Sequence, residues 1–131
     1  MQIQPMLQVA DVTASSRWYQ GTLGLASAHG GDEFEMLVAD GRLVLQLHRW
    51  DAHEHPYLGV RGESVGNGVS LWFETDGFDA AVARATAAGA TVLHGPSWNP
   101  LAHHRELALR DPDGYVVVIH SRFGEGDAPD A

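Results

Sequence analysis

Hydrophobic residues alternate with polar ones in short runs along the chain, the period expected of strands with one buried face. Residues 3–10 put Leu7 and Val9 on one side and Gln4, Met6 and Gln8 on the other. Asp11 then reads as the cap of a helix from about Val12 to Leu23, with Trp18, Tyr19 and Leu23 as its apolar stripe and Gly24 as its stop. A Gly-rich turn at His29-Gly30-Gly31 leads into a hairpin that ends near Trp50. Val69 to Thr75 repeats the strand pattern, with Val69, Leu71 and Phe73 opposite Ser70, Trp72 and Glu74. Asp76 or Asp79 is the expected start of a second helix, Phe78 to Ala88, ended by Gly89. A short strand at Thr91–Leu93 follows, then a loop from Gly95 to His103 and a last hairpin.

That last hairpin is the most specific stretch. Asp111-Pro112-Asp113-Gly114 is a turn in which Pro112 presets φ, the aspartates bind nearby backbone and Gly114 accepts positive φ. Strand-like runs flank it, Glu106 to Arg110 and Tyr115 to His120. The run from Glu35 to His48 has the same plan: a glutamate, an alternating strand, an Asp-Gly turn, an apolar strand and a histidine. Glu35 precedes Asp40 by the same step as Glu106 precedes Asp111, which suggests a duplicated unit. Each half reads strand, helix, three strands. The expected organisation is one domain at 1–122, with module one at about 1–50, a linker loop at 51–67, module two at about 68–121, and a frayed acidic tail at 123–131.

Composition narrows the function without naming it. The 131 residues include no Cys, which excludes disulfides, thiolate metal sites and a cysteine nucleophile. A net charge of −9 argues against nucleic acid and anionic membrane as partners. No apolar run is long enough to span a bilayer and the N-terminus does not read as a leader, so the cytoplasm is the expected compartment.

Val9-Ala10-Asp11, Trp18-Tyr19, Leu23-Gly24-Leu25 and above all Asp111-Pro112-Asp113-Gly114-Tyr115, set in order on a doubled βαβββ pattern, resemble the vicinal oxygen chelate superfamily of glyoxalases, bleomycin-resistance proteins and extradiol dioxygenases. The resemblance runs from Gln4 to Ser121. It implies an α+β fold in which paired βαβββ modules form a curled, incomplete barrel, with helices on the convex face and a ligand cavity on the concave one. It also implies a homodimer. In metal-dependent members each of four strands supplies one ligand, and the matching positions here are Gln4, Gln46, Gly68 and Val118. Glycine and valine bring no side-chain donor, and two neutral amides leave a divalent cation uncompensated. The expectation is a version of the fold with no metal and no other cofactor.

Alternation assigns the ligand-facing set as Gln4, Met6, Gln8, Val44, Gln46, His48, Ser70, Trp72, Glu106, Val116, Val118 and His120, with Trp50 and His104 at strand ends and Trp98, Asn99 and Pro100 as a lid or entrance edge or else a turn plug over the core. Apolar and aromatic walls with a few placed polar groups suit a small-molecule site. Glu106, His48 and His120 are the candidates for catalysis. Their plainer roles are an ion pair with Arg110 for Glu106 and strand-end hydrogen bonds to backbone for the histidines. A displaced metal site of His48, Glu106 and His120 is a further alternative, and His53-Glu54-His55 reads as a solvated lid segment. Three readings follow: a binding protein for a flat or peptide-like small molecule, an enzyme (lyase, isomerase or dioxygenase) using a displaced metal or acid–base catalysis, or a subunit or regulator whose cavity is vestigial.

Overall fold

The computed structural model describes residues 2–50, 61–62, 69–122 and 124. Its contacts divide the chain into two units, Met1–Asn67 and Gly68–Ala131. The first runs β1 (Met6–Val9), α1 (Val12–Leu23), β2 (Ala26–Ser27), β3 (Phe34–Ala39) and β4 (Arg42–Arg49). The second runs β5 (Ser70–Glu74), α2 (Phe78–Ala87), β6 (Thr91–Asn99), β7 (His104–Arg110) and β8 (Val116–His120). Each is therefore a βαβββ module, and the fold class is α+β. The strand orders are β1-β4-β3-β2 and β5-β8-β7-β6, so the first and last strands of each module pair in parallel and the others antiparallel. Most of the linker, including His53-Glu54-His55, and all of the tail except Gly124 lie outside the described residues.

In the first module α1 begins where Asp11 Oδ1 accepts the Ala14 N–H at 2.9 Å and ends at Gly24, whose φ of 72° a side chain would resist. Its buried face is Val12, Ser15, Ser16, Tyr19 and Thr22, with Trp18 and Leu23 only half-buried, so the expected aromatic stripe is displaced. Ser16 on that face bonds a carboxylate in the sheet beneath it. The core below is Leu7, Val9, Leu37, Leu45 and Leu47. Each such leucine removed from water contributes roughly 2 kcal/mol.

The second module repeats the plan with differences. Its core is Leu107, Leu109, Val117 and Ile119 against Phe78, Ala81 and Ala85 of α2. Neither aspartate caps α2. Gly77 stands at its N-cap without a side-chain bond, while Asp76 pairs with Arg122 at 3.1 Å and Asp79 with Arg105 at 3.0 Å. The segment expected as a loop from Gly95 is largely strand. β6 reaches Asn99 along β7 through two register shifts, one at Leu93 and one that absorbs Gly95 and Pro96. Backbone pairing overrides the Gly-Pro breaker signal because the extra residues bulge out of the ladder. Val69 falls just before β5 and is exposed.

Candidate functional site

The Asp111 turn sets the register of the second module. Asp111 Oδ1 accepts the N–H groups of Asp113 at 2.9 Å and Tyr115 at 2.8 Å, and the Arg110 guanidinium donates to the Gly114 carbonyl at 2.7 Å. Gly114 turns with φ of 97°. From this anchor Leu107 meets Ile119 on the helix side and Glu106 meets His120 on the other. β5 adds Trp72 opposite Val118 and Glu74 opposite His120. Ser70, Trp72, His104, Glu106, Val118 and His120 therefore share one face, as alternation assigns them.

Glu106 is the polar centre of that face. His104 Nε2 donates to its Oε2 at 2.7 Å, and Asn99 Nδ2 donates to the same oxygen at 3.2 Å. Burial alone would raise the Glu106 carboxyl, but these two hydrogen bonds and the positive potential of His104 and His94 outweigh it and hold the group below the ordinary carboxylate range. His104 is 0 % exposed and stacks on His120 with ring centroids 4.8 Å apart. His120 donates from Nδ1 to the Ser121 carbonyl at 2.7 Å. The Trp72 ring lies 5.6 Å from His120 and 6.2 Å from His104, its Nε1 donating to Ser70 Oγ at 2.8 Å. With its polar edge satisfied inside the protein and 48 % of its surface exposed, Trp72 offers a ligand a flat apolar face.

In the first module the corresponding face carries Met6, Gln8, Gln46 and His48, joined by Met36 opposite Gln46 and Phe34 opposite His48. Gln46 Nε2 donates to the Gln4 carbonyl at 3.1 Å, and His48 donates from Nδ1 to the Arg49 carbonyl at 3.0 Å. The His48 ring lies 6.0 Å from Phe34, which meets His29 edge-on at 5.0 Å. Trp50 follows the strand, half-buried, its N–H on the Val9 carbonyl at 3.3 Å.

Glu35 does not match Glu106. It pairs with Leu47 on the helix side and is 3 % exposed. Its Oε2 accepts from Ser16 Oγ at 2.9 Å and Ser27 Oγ at 2.7 Å, and its Oε1 from the N–H groups of Gly30 at 2.8 Å, Met36 at 2.9 Å and His29 at 3.3 Å. Against the upward push of burial, bonds from Gly30, Ser27, Ser16 and Met36 keep it below the ordinary range. It ties α1 and the β2–β3 loop to the sheet.

Trp98 also departs from its expected place. It pairs with Arg105 across β6 and β7, on the helix side and opposite to Glu106. Asn99 is the residue missed on the Glu106 face. Its Oδ1 also accepts the N–H groups of Leu101 at 2.9 Å and Ala102 at 3.3 Å, so it fixes the turn before β7 as well as the carboxylate. Only the Asn-Pro turn signal hinted at it. Phe34 and Met36 were missed because the hairpin register was not legible.

Of the four positions matching the family's metal ligands, Gly68 lies outside the described residues, Val118 is a buried hydrocarbon, and Gln46 directs its amide nitrogen at the Gln4 backbone. This donor set does not fit a divalent cation. Among the described residues no group of three or more His, Asp or Glu side chains is arranged to hold a metal ion. No described helix is long and apolar enough to cross a membrane.

Paired βαβββ modules, each with a half-polar sheet face turned away from its helix, define the class of fold. The chain belongs to the Glyoxalase/Bleomycin resistance protein/Dioxygenase superfamily, whose profile matches residues 2–119. Among solved structures it is similar to a glyoxalase/bleomycin resistance protein/dioxygenase family enzyme from Burkholderia phytofirmans PsJN, at 25 % identity and a TM-score of 0.74, over 90 % of this chain and 95 % of that one. A glyoxalase-related enzyme from Fulvimarina pelagi matches at 21 % identity and 0.73, over 100 % and 99 %. An integron cassette protein from the mobile metagenome of V. cholerae matches at 23 % and 0.69, over 92 % and 97 %. The two lower identities speak for the fold alone. A search among proteins of curated function returns no match.

Proposed function

We propose that the protein binds a flat small molecule without the family's usual metal, holding it on the face built by Trp72, His120, Glu106 and Val118. The observation that carries this reading is Trp72, half-exposed beside two stacked histidines with its indole N–H already committed to Ser70. A large aromatic surface so pinned adds contact area at little entropic cost. Glu106, kept ionised by His104 and Asn99, supplies charge for a basic or hydrogen-bond-donating group. Gln8, Gln46, Met6 and His48 furnish a similar mixed face in the first module. The reading retains the cytoplasmic homodimer that the family resemblance implies, and sedimentation equilibrium checks the dimer.

The competing reading is an enzyme. It draws support from His48 and His120, each of which donates Nδ1–H to the next residue's carbonyl and so presents Nε2 as the lone-pair nitrogen, as metal-ligating histidines do. Acid–base work by His104 and Glu106 is disfavoured. The His104 ring is shut off from solvent, and a carboxylate with a lowered pKa is a weak base near neutrality.

Tryptophan-fluorescence titration with basic aromatic antibiotics separates the readings. Saturable quenching that Trp72→Ala weakens by about tenfold, on the scale of a single binding hot spot, is the expected result. No quenching by any of them removes the binding reading. Stoichiometric retention of Zn²⁺, Fe²⁺, Mn²⁺ or Ni²⁺ after purification without chelator would favour the enzyme.

A further inference from the structure

The two faces of β6 and β7 are used differently. Asn99 and Glu106 turn to the face just described, while Trp98 and Arg105 turn to the helix side. There α2 packs chiefly on β8 and leaves the outer strands less covered, whereas α1 in the first module lies across β2, β3 and β4. The gap is a cavity of about 240 Å³ whose lining includes Phe78, Asp79, Val82, Pro96, Trp98 and Arg105. Phe78 is buried and Trp98 half-buried, so the walls are aromatic. The Arg105 guanidinium sits 5.0 Å over the Phe78 ring and bonds Asp79 Oδ1 at 3.0 Å.

We propose that this cavity is a second ligand site, separate from the Trp72 face, and that it takes a small planar aromatic carboxylate. Its volume lies below the range of drug-sized sites and suits one or two fused rings. Phe78 and Trp98 supply the flat walls, and the guanidinium is the natural partner of a planar carboxylate. Asp79 already occupies that partner's place, but its side chain is 90 % exposed. An ion pair so open to water is weak. A ligand carboxylate that enters with its ring in the cavity displaces Asp79 from Arg105 and carries apolar burial with it. The site does not depend on the reading of the Trp72 face.

The test is titration of the ¹⁵N-labelled full chain with indole-3-acetate and benzoate, following the tryptophan indole N–H signals by NMR, with Trp98→Phe and Trp72→Phe assigning them. The Trp98 signal moves saturably with either acid, Trp72 stays still, and indole-3-acetamide and benzamide bind at least tenfold more weakly. Asp79→Asn tightens the acids severalfold by removing the competing carboxylate, and Arg105→Gln abolishes their binding. Because Arg105→Gln could unsettle the fold, Asp79→Asn carries the decision. Unchanged or weaker binding in that variant overturns the displacement. Equal binding of the amides overturns the assignment of an acid. A Trp98 signal that ignores the acids overturns the site, and one that moves instead with protein concentration assigns the cavity to contact with a second copy. Movement of Trp72 alone overturns this site while leaving the first face standing.

Discussion

The two hairpins carry the same glutamate-to-aspartate spacing and put the glutamate to opposite uses. Glu35 is buried among donors on the helix side, and Glu106 stands on the polar face. Phe34 stands fourteen positions before His48, and Glu106 fourteen positions before His120. The two spans distribute them differently. The first turns tightly at Asp40-Gly41, both with positive φ, and recovers the count through a bulge beside Leu37 and Val38. The second spends five residues on the turn from Asp111 to Tyr115 and has no bulge. Measured from the histidines, Phe34 is the counterpart of Glu106, and Glu35 is the counterpart of the core residue Leu107. Because strand faces alternate, one residue of slip exchanges a carboxylate on the face away from the helix for one buried beneath it.

Replacing each glutamate sharpens this contrast most. Glu35→Leu strands three backbone N–H groups and two hydroxyls, a loss on the order of 3 kcal/mol in urea unfolding, whereas Glu106→Gln keeps an acceptor for His104 and shifts stability by less than about 1 kcal/mol. If Glu106→Gln proved the more damaging, the larger structural role would belong to Glu106 and not to Glu35. The pH dependence follows from the same pair. Both carboxyls are lowered in the fold, so their contribution is complete above the unfolded-state value and is lost as pH falls through the folded values. Acid titration of stability should therefore flatten in both Glu35→Leu and Glu106→Gln, and a profile unchanged in either would deny that carboxyl its lowered pKa.

The glycines give the next largest difference. At Gly95 an added Cβ would lie 2.6 Å from the Glu106 carbonyl oxygen, at φ of +88°, so Gly95→Ala should cost about 2–3 kcal/mol and weaken the binding proposed for the Glu106 face. At Gly41 a Cβ meets nothing within 4 Å, so only the left-handed backbone resists it and Gly41→Ala should cost about 1 kcal/mol. Equal losses at the two positions would mean that the β6 bulge yields. The smallest effects belong to the caps. Asp11→Ala should cost α1 about 1 kcal/mol, and Gly77→Asp should stabilise α2 by a few tenths. Thermal melts resolve both, and a destabilised Gly77→Asp would deny the cap an extended conformation.

The sequence by itself determined the βαβββ repeat, the cap at Asp11 and the DPDG turn, because these depend on period, capping chemistry and φ preferences that act over a few residues. It also determined that Trp72, Glu106, Val118 and His120 share a face, since a regular strand preserves alternation. Tertiary structure alone decided what stands opposite what. The bulge that turns Glu35 inward, the serine on α1 that receives it, and the extension of β6 that sends Trp98 to the helix side are settled by pairing energy between distant strands. Asn99 reaches the Glu106 carboxylate for the same reason. Local propensity has no term for a hydrogen bond whose partner is fixed only when the sheet closes up around it.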